Sequence, residues 1–228
     1  EPGAEDIDMA KWGQSLKITG IVLSSEAKIN QFEGKSGMVW RIGEETTPAQ
    51  IADNLCVNQH EIINLTAHLG QDGKLNYRLP AGDWTILRLG HTSTGHKNET
   101  AGNGKGLEAD KFNPEAVKLQ FANWYGKARE VVGPELASKV LTVFHVDSWE
   151  SGSQNWSPVF REEFKKRRGY DPVIYLPAMA GIPVESTETS ENFLFDVRKT
   201  ITEVLNDNFF ETLKTLAHGK DVILTAET

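Results

Sequence analysis

The sequence predicts an α/β fold made of parallel βαβ units: part of a (β/α)8 barrel of the TIM type, preceded by a β-rich segment. Three observations carry this. Apolar runs of strand length recur at 84–90, 140–147 and 221–227. Long helical patterns separate them, which is the rhythm of parallel strands joined by crossover helices. Each run also ends in polar chemistry: the 91–111 loop after the first, Asp147 and Glu150 after the second, Glu227 at the third. Carboxylates gathered at the C-terminal ends of several strands are the barrel arrangement. A barrel needs eight strands and about 250 residues, and three strands follow residue 84, so the chain reads as part of a larger protein. A small open three-layer α/β fold is the alternative.

Residues 1–83 read as the β-rich segment or an insertion, and 84–228 as the partial barrel. In the first part, 16–23, 38–42 and 61–65 are strand candidates, and the turn Gln71-Asp72-Gly73-Lys74 precedes an alternating run at 75–79. Pro80-Ala81-Gly82-Asp83 turns the chain into the strand at 84–90. Asn113-Pro114-Glu115 then opens a helix, with Asn as cap and Pro at the first helical position. Val117, Phe121, Trp124, Ala128 and Val131 follow at helical spacing, and Gly133-Pro134 ends it. After the strand at 140–147, Ser157-Pro158 starts a second helix carrying Phe160 and Phe164, stopped by Gly169. A proline-punctuated loop covers 171–189. Ser190 caps a long helix with Phe193, Val197, Ile201, Leu205 and Phe209 in register, and Gly219 closes it before the strand at 221–227.

Composition excludes several classes. Hydrophobic residues make up 39% and charged residues 25% of the 228, as in an ordinary globular protein. No apolar run approaches the ~20 residues that span a bilayer. The net charge is −8, and the one basic cluster, Lys165 to Arg168, sits at a helix end where it complements the dipole, so nucleic acid is not an expected partner. The single Cys56 excludes an internal disulfide and reads as a small buried side chain. The start, Glu1-Pro2-Gly3, has neither the basic nor the apolar region of a signal peptide.

The chemistry concentrates in His145-Val146-Asp147-Ser148-Trp149-Glu150. A carboxylate pair beside an indole suits a sugar: the acids move protons or hold hydroxyls, and the ring covers the apolar face of a pyranose. Glycoside hydrolysis needs two carboxyl groups flanking the bond, and Asp147, Glu150 and Glu227 are the best placed. Their plain alternatives are a strand-capping aspartate, a solvated loop glutamate and a strand-end glutamate. Asn155 and Trp156 add hydrogen-bonding and stacking groups. Glu108, Asp110 and Lys111 form a second polar cluster that could grip a sugar or cation, or could be a solvated loop before a helix. Gly102, Gly104 and Gly106 fit neither a dinucleotide fingerprint nor a P-loop. His91 and His96 lack metal-site spacing, which gives His91 a polar loop role at the sugar, and His145 reads as a core histidine.

Together these segments resemble one family. The runs 84–92, Thr94-Gly95, 106–111, 145–156, Phe160 to Phe164, Arg167 to Pro172 and Ala226-Glu227 are similar, in order, to the α-L-rhamnosidase-like enzymes of glycoside hydrolase family 106. The resemblance covers roughly residues 60–228. It implies a large multidomain bacterial hydrolase, secreted or periplasmic, acting on oligo- or polysaccharide through a catalytic (β/α)8 barrel. It also implies an inverting mechanism and a calcium ion in the sugar site. By motif, Glu150 is the general acid, with Glu227 a second catalytic carboxylate unless the one that activates water lies beyond residue 228. Asp147 and Glu227 ligate the calcium or grip the sugar, and Trp149, Asn155, Trp156, Glu108, Asp110, Lys111 and His91 contact it. A non-catalytic carbohydrate-binding or structural fragment, or a glycosidase of different sugar specificity, are the competing readings.

Overall fold

A computed structural model describes residues 21, 23–39, 49–97, 104–147 and 152–227. Among these the first 83 positions form no strand. They hold a short helix, α1 (Phe32–Lys35), and 3-10 turns at Asp53–Leu55, Gln59–Glu61 and Thr66–His68. The expected β-rich character is not seen among the described residues of this stretch. Side chains capture the backbone instead: Asn58 accepts from the His60 N–H at 2.9 Å and Asn64 from that of Thr66 at 3.0 Å, so turns compete with strand pairing. Only the bridge between Leu69 and Leu75 survives from the expected 75–79 strand. The candidate strands at 16–23 and 38–42 lie largely outside the described residues.

The run 84–90 is no strand either, and Ile86 and Leu89 stand 59% and 49% exposed. A strand exists through its ladder partners, and this run has none among the described residues.

Helix α2 (Pro114–Phe121) starts as its sequence dictates. The Asn113 side chain accepts from the Glu115 N–H at 3.0 Å, with Pro114 in the first turn. It runs through a π-turn, Ala122–Gly126, into α3 (Lys127–Val132). The wider turn rotates the buried face, so Tyr125 follows Val117 and Phe121 into the core while Trp124 and Val131 are 67% and 77% exposed. The expected helical register thus fails after Phe121. Gly133 adopts φ +86°, and Pro134 opens a further helix, α4 (Pro134–Val140), which runs to the position where the strand was expected to begin.

Strand β1 (Val143–Val146) follows, then α5 (Phe160–Arg168), stopped by Gly169 at φ +82°. The proline-rich stretch forms a 3-10 turn, Pro172–Tyr175, and α6 (Leu176–Met179). Ser186, not Ser190, caps α7 (Thr187–Val204), accepting from the Thr189 N–H at 3.1 Å. Ser190 is buried inside the helix; its hydroxyl accepts from the Val184 N–H at 2.8 Å and donates to the Val184 carbonyl at 3.1 Å. A second π-turn, Leu205–Phe210, leads to α8 (Glu211–His218) and then β2 (Ile223–Ala226).

The two strands pair in parallel, Val143 opposite Ile223 through Val146 opposite Ala226. This is the βαβ unit the sequence predicts, although the described residues make one two-stranded sheet rather than a barrel. Phe144, Val146 and Leu224 pack on a core of Val117, Phe121, Tyr125, Phe209, Leu213, Ala217 and Val222. Val143 and Ile223, on the other face, are exposed. A second core joins α5 to α6 and α7 through Phe112, Phe160, Phe164, Phe193, Leu194 and Val197. The basic end of α5 does more than complement its own dipole: Arg167 reaches Asp207 at 2.7 Å and Glu163 at 3.1 Å, and Arg168 pairs with Glu203, stitching α5 to α7.

Candidate functional site at the strand ends

Side chains alternate across a strand, so Val143, His145 and Asp147 share one face of β1, and Ile223, Thr225 and Glu227 share that face of β2. It is the face turned away from the helices. The ladder continues one rung past the paired strands, where the Glu227 N–H donates to the Val146 carbonyl at 3.0 Å. Backbone pairing therefore brings Asp147 and Glu227 side by side. One ligand atom from each of His145, Asp147 and Glu227 lies within 4.8 Å of the others, and all three residues are exposed. His145 Nδ1 sits 2.9 Å from Thr225 Oγ1, which fixes the ring across the two strands. The core reading of His145 is corrected: the strand parity that places Asp147 at the site places His145 there too.

An inverting pair needs ~6.5–9.5 Å between its carboxyl groups to seat a water. Asp147 and Glu227 are closer than that. At that spacing one oxygen from each can reach a shared hydroxyl or cation. Glu150 and Trp149 lie outside the described residues.

Glu108, Asp110, Lys111, Asn155 and Trp156 turn out to be engaged within the protein. The buried Lys111 ammonium pairs with Glu108 at 2.6 Å and lies 5.9 Å from the Phe209 ring centroid. Asp110 Oδ1 accepts from the Phe112 N–H at 3.0 Å and from Gln154 Nε2 at 2.6 Å, and the Lys111 N–H donates to Gln154 Oε1 at 3.3 Å. Asn155 Nδ2 donates to the Ser36 carbonyl at 3.0 Å. Trp156 packs on Phe160, ring centroids 4.9 Å apart, at the edge of the larger core. His91 stands exposed in the 81–97 run. Sequence reasoning missed Gln154 and Ser36. Nothing local marks Ser36; Gln154 lies four residues beyond Glu150 in a motif already singled out.

Comparisons with known proteins agree with this architecture. The family model for alpha-L-rhamnosidase, glycoside hydrolase family 106, matches residues 4–228. A protein of Formosa agariphila named "Putative beta-glucuronidase" is 39% identical over 180 residues, covering 78% of this chain and 15% of that protein. The solved rhamnosidase from Novosphingobium sp. PP1Y superposes with a TM-score of 0.74 at 29% identity, over 90% of this chain and 20% of that one. The chain thus spans a fifth or less of these relatives' lengths. Matched along nearly its whole length, and like a rhamnosidase in fold, it belongs to the alpha-L-rhamnosidase family of glycoside hydrolases, family 106.

Proposed function

We propose that this chain forms part of a secreted or periplasmic glycosidase that removes a terminal α-L-rhamnosyl or related deoxysugar from oligo- or polysaccharide with inversion. The observation that carries the reading is the convergence of His145, Asp147 and Glu227 at the C-terminal ends of adjacent parallel strands, where α/β enzymes keep their chemistry. Glu150 protonates the leaving oxygen. Glu227 serves as the second carboxylate, a role that rests on the family motif, and Asp147 lies too near Glu227 for those two to flank a water. Asp147 orients the sugar hydroxyls. Two carboxylates of hard oxygen character suit calcium, and Asp147 and Glu227 would hold it. Bound there, the ion would supply positive charge that fixes sugar hydroxyls. The imidazole of His145 is a softer donor and, tied to Thr225, braces the site beside them.

The test is Glu150→Gln in the full-length protein. Losing a general acid costs about 10²–10⁴-fold in turnover of an aryl α-L-rhamnoside. Wild-type turnover would reject Glu150 as the acid. A second reading is favoured by the Formosa agariphila relative and its name: the sugar is a uronic acid. Turnover of 4-nitrophenyl β-D-glucuronide in place of the rhamnoside would select it. Binding of rhamnose in calorimetry without turnover of any glycoside would leave a carbohydrate-binding role.

A further inference from the structure

We infer that the short hairpin at 67–77 is a carbohydrate-binding site, which holds a pyranose unit of the polysaccharide other than the one being cleaved. The inference takes its ligand class from, and so rests on, the reading of the protein as a glycosidase of oligo- or polysaccharide. The hairpin carries no residue of the strand-end set. Its turn, Gln71-Asp72-Gly73-Lys74, is closed by its own backbone. The Gly70 N–H donates to the Lys74 carbonyl at 2.8 Å, that of Gly73 to the Gly70 carbonyl at 2.9 Å, and that of Asn76 to the His68 carbonyl at 3.0 Å. Asp72 Oδ1 accepts from the Lys74 N–H at 3.1 Å, and Gly73 takes φ +77°. This pairing sets the His68 ring beside that of Tyr77, centroids 4.8 Å apart and planes 50° from parallel.

Neither ring is part of either core, and both are exposed. Beside them opens a cavity of about 670 Å³, whose lining includes His68, Leu69, Asp72, Lys74, Leu75 and Asn76. That is the size of a small-ligand site, and aromatic and apolar walls with a few polar groups are its usual lining. A pyranose needs both kinds of wall. Its C–H face packs on a ring, and each hydroxyl on its rim donates and accepts. Asp72 Oδ2 and Lys74 Nζ, 3.2 Å apart, offer an acceptor and a donor side by side, which suits two adjacent hydroxyls. Asn76 offers both roles in one amide. The Arg88 guanidinium stands at the tip, 3.9 Å from where a Gly73 Cβ would lie, and adds donors. Because the turn is already closed, binding orders little backbone and so loses little affinity. Of the six lining residues all but Leu75 are exposed, which suits a polymer passing across the hairpin rather than one enclosed sugar.

The experiment runs the full-length protein through gels with and without gum arabic, whose chains carry rhamnose and glucuronate. Retardation by the gum gives an apparent Kd. His68→Ala and Tyr77→Ala should each raise it about tenfold, the scale of one aromatic contact. Asn76→Ala, which removes no ring and leaves the backbone pairing in place, should weaken retardation as well and serves if either ring variant does not fold. On the gum kcat/KM should fall by the same factor, with a far smaller loss on an aryl α-L-rhamnoside, which offers no second sugar to hold. Retardation of the variants as strong as that of wild type, or equal losses on gum and aryl glycoside, would overturn the inference. So would a wild type that the gum does not retard. A wild type that is retarded, and loses retardation in the variants, but turns over no glycoside would sink the glycosidase reading and leave the hairpin site standing.

Discussion

Gly181 joins α6 to the chain that follows, and its substitution tests how the N-terminal segment is held. It adopts φ +86°, a conformation that costs a residue with a side chain about 1–2 kcal/mol. A Cβ there would also lie 2.7 Å from Lys28 Cε and 2.8 Å from Phe32 Cδ1. The lysine end can swing away. The Phe32 ring cannot do so freely, because it packs on the larger core and Lys28 Nζ lies 4.3 Å from its centroid. Overpacking of this kind adds about 1–3 kcal/mol, which puts Gly181→Ala at roughly 2–5 kcal/mol. Gly169 supplies the control: φ is +82° and nothing lies within 4 Å of its Cβ, so Gly169→Ala carries the backbone cost alone. Urea unfolding of the chain, followed by tryptophan fluorescence, measures both, since Trp156 lies at the edge of the same core. The shift in midpoint times the slope gives the difference. Equal destabilisation by the two substitutions would refute the packing argument and detach residues 28–36 from the core.

Ser190→Ala removes the hydroxyl bonded to both backbone groups of Val184 and should cost about 1–3 kcal/mol in the same unfolding measurement. The helix-to-helix ion pairs predict acid sensitivity. Hydrogen bonds from Arg168, Arg167 and Arg161 hold Glu203, Asp207 and Asp171 below their ordinary values of 4.5, 3.8 and 3.8. Carboxylates depressed in the folded state stabilise it above the unfolded value and stop doing so as pH falls through the folded one. The urea midpoint should therefore hold from neutral pH to about 5 and fall below about 4, less steeply in high salt; a midpoint flat to pH 3 would contradict this. For the strand-end site, chelation of calcium should lower the melting temperature of the full-length protein. Asp147→Asn and Glu227→Gln should weaken calcium binding in calorimetry, and His145→Ala should leave it unchanged. A sharp loss in His145→Ala would make the imidazole a ligand and the ion something other than calcium.

What was legible in the sequence was whatever local chemistry settles. Asn113-Pro114 and Gly169 mark helix ends because capping and positive φ are properties of single residues. Asp147 and Glu227 can be placed at strand ends from sequence because apolar runs of strand length stand out, and so do the polar residues that close them. Trp124 and Val131 misled because a π-turn leaves no trace in periodicity until the register has already slipped. The 84–90 run has a strand's composition, but pairing belongs to two segments and cannot be read from one. The internal use of Asn155 and the hold of Gln154 on Asp110 were illegible for the same reason: Ser36 lies 119 residues from Asn155, and Gln154 lies 44 from Asp110.

A π-turn interrupts the helical run of α2 and α3 and that of α7 and α8, and these turns bury Tyr125 and Phe209 in the core beneath the sheet. This constrains how the gene can change length. Deleting one residue from 205–210 would restore ordinary helix and turn everything after it by about 100°, swinging Leu213 and Ala217 off the core and Asn208 away from the Phe112 carbonyl. The exposed 81–97 run has no such accounting. Insertions and deletions among relatives should therefore collect in that run and avoid both helical segments, and an alignment of family members would show the two π-turns as gapless columns even where their side chains vary.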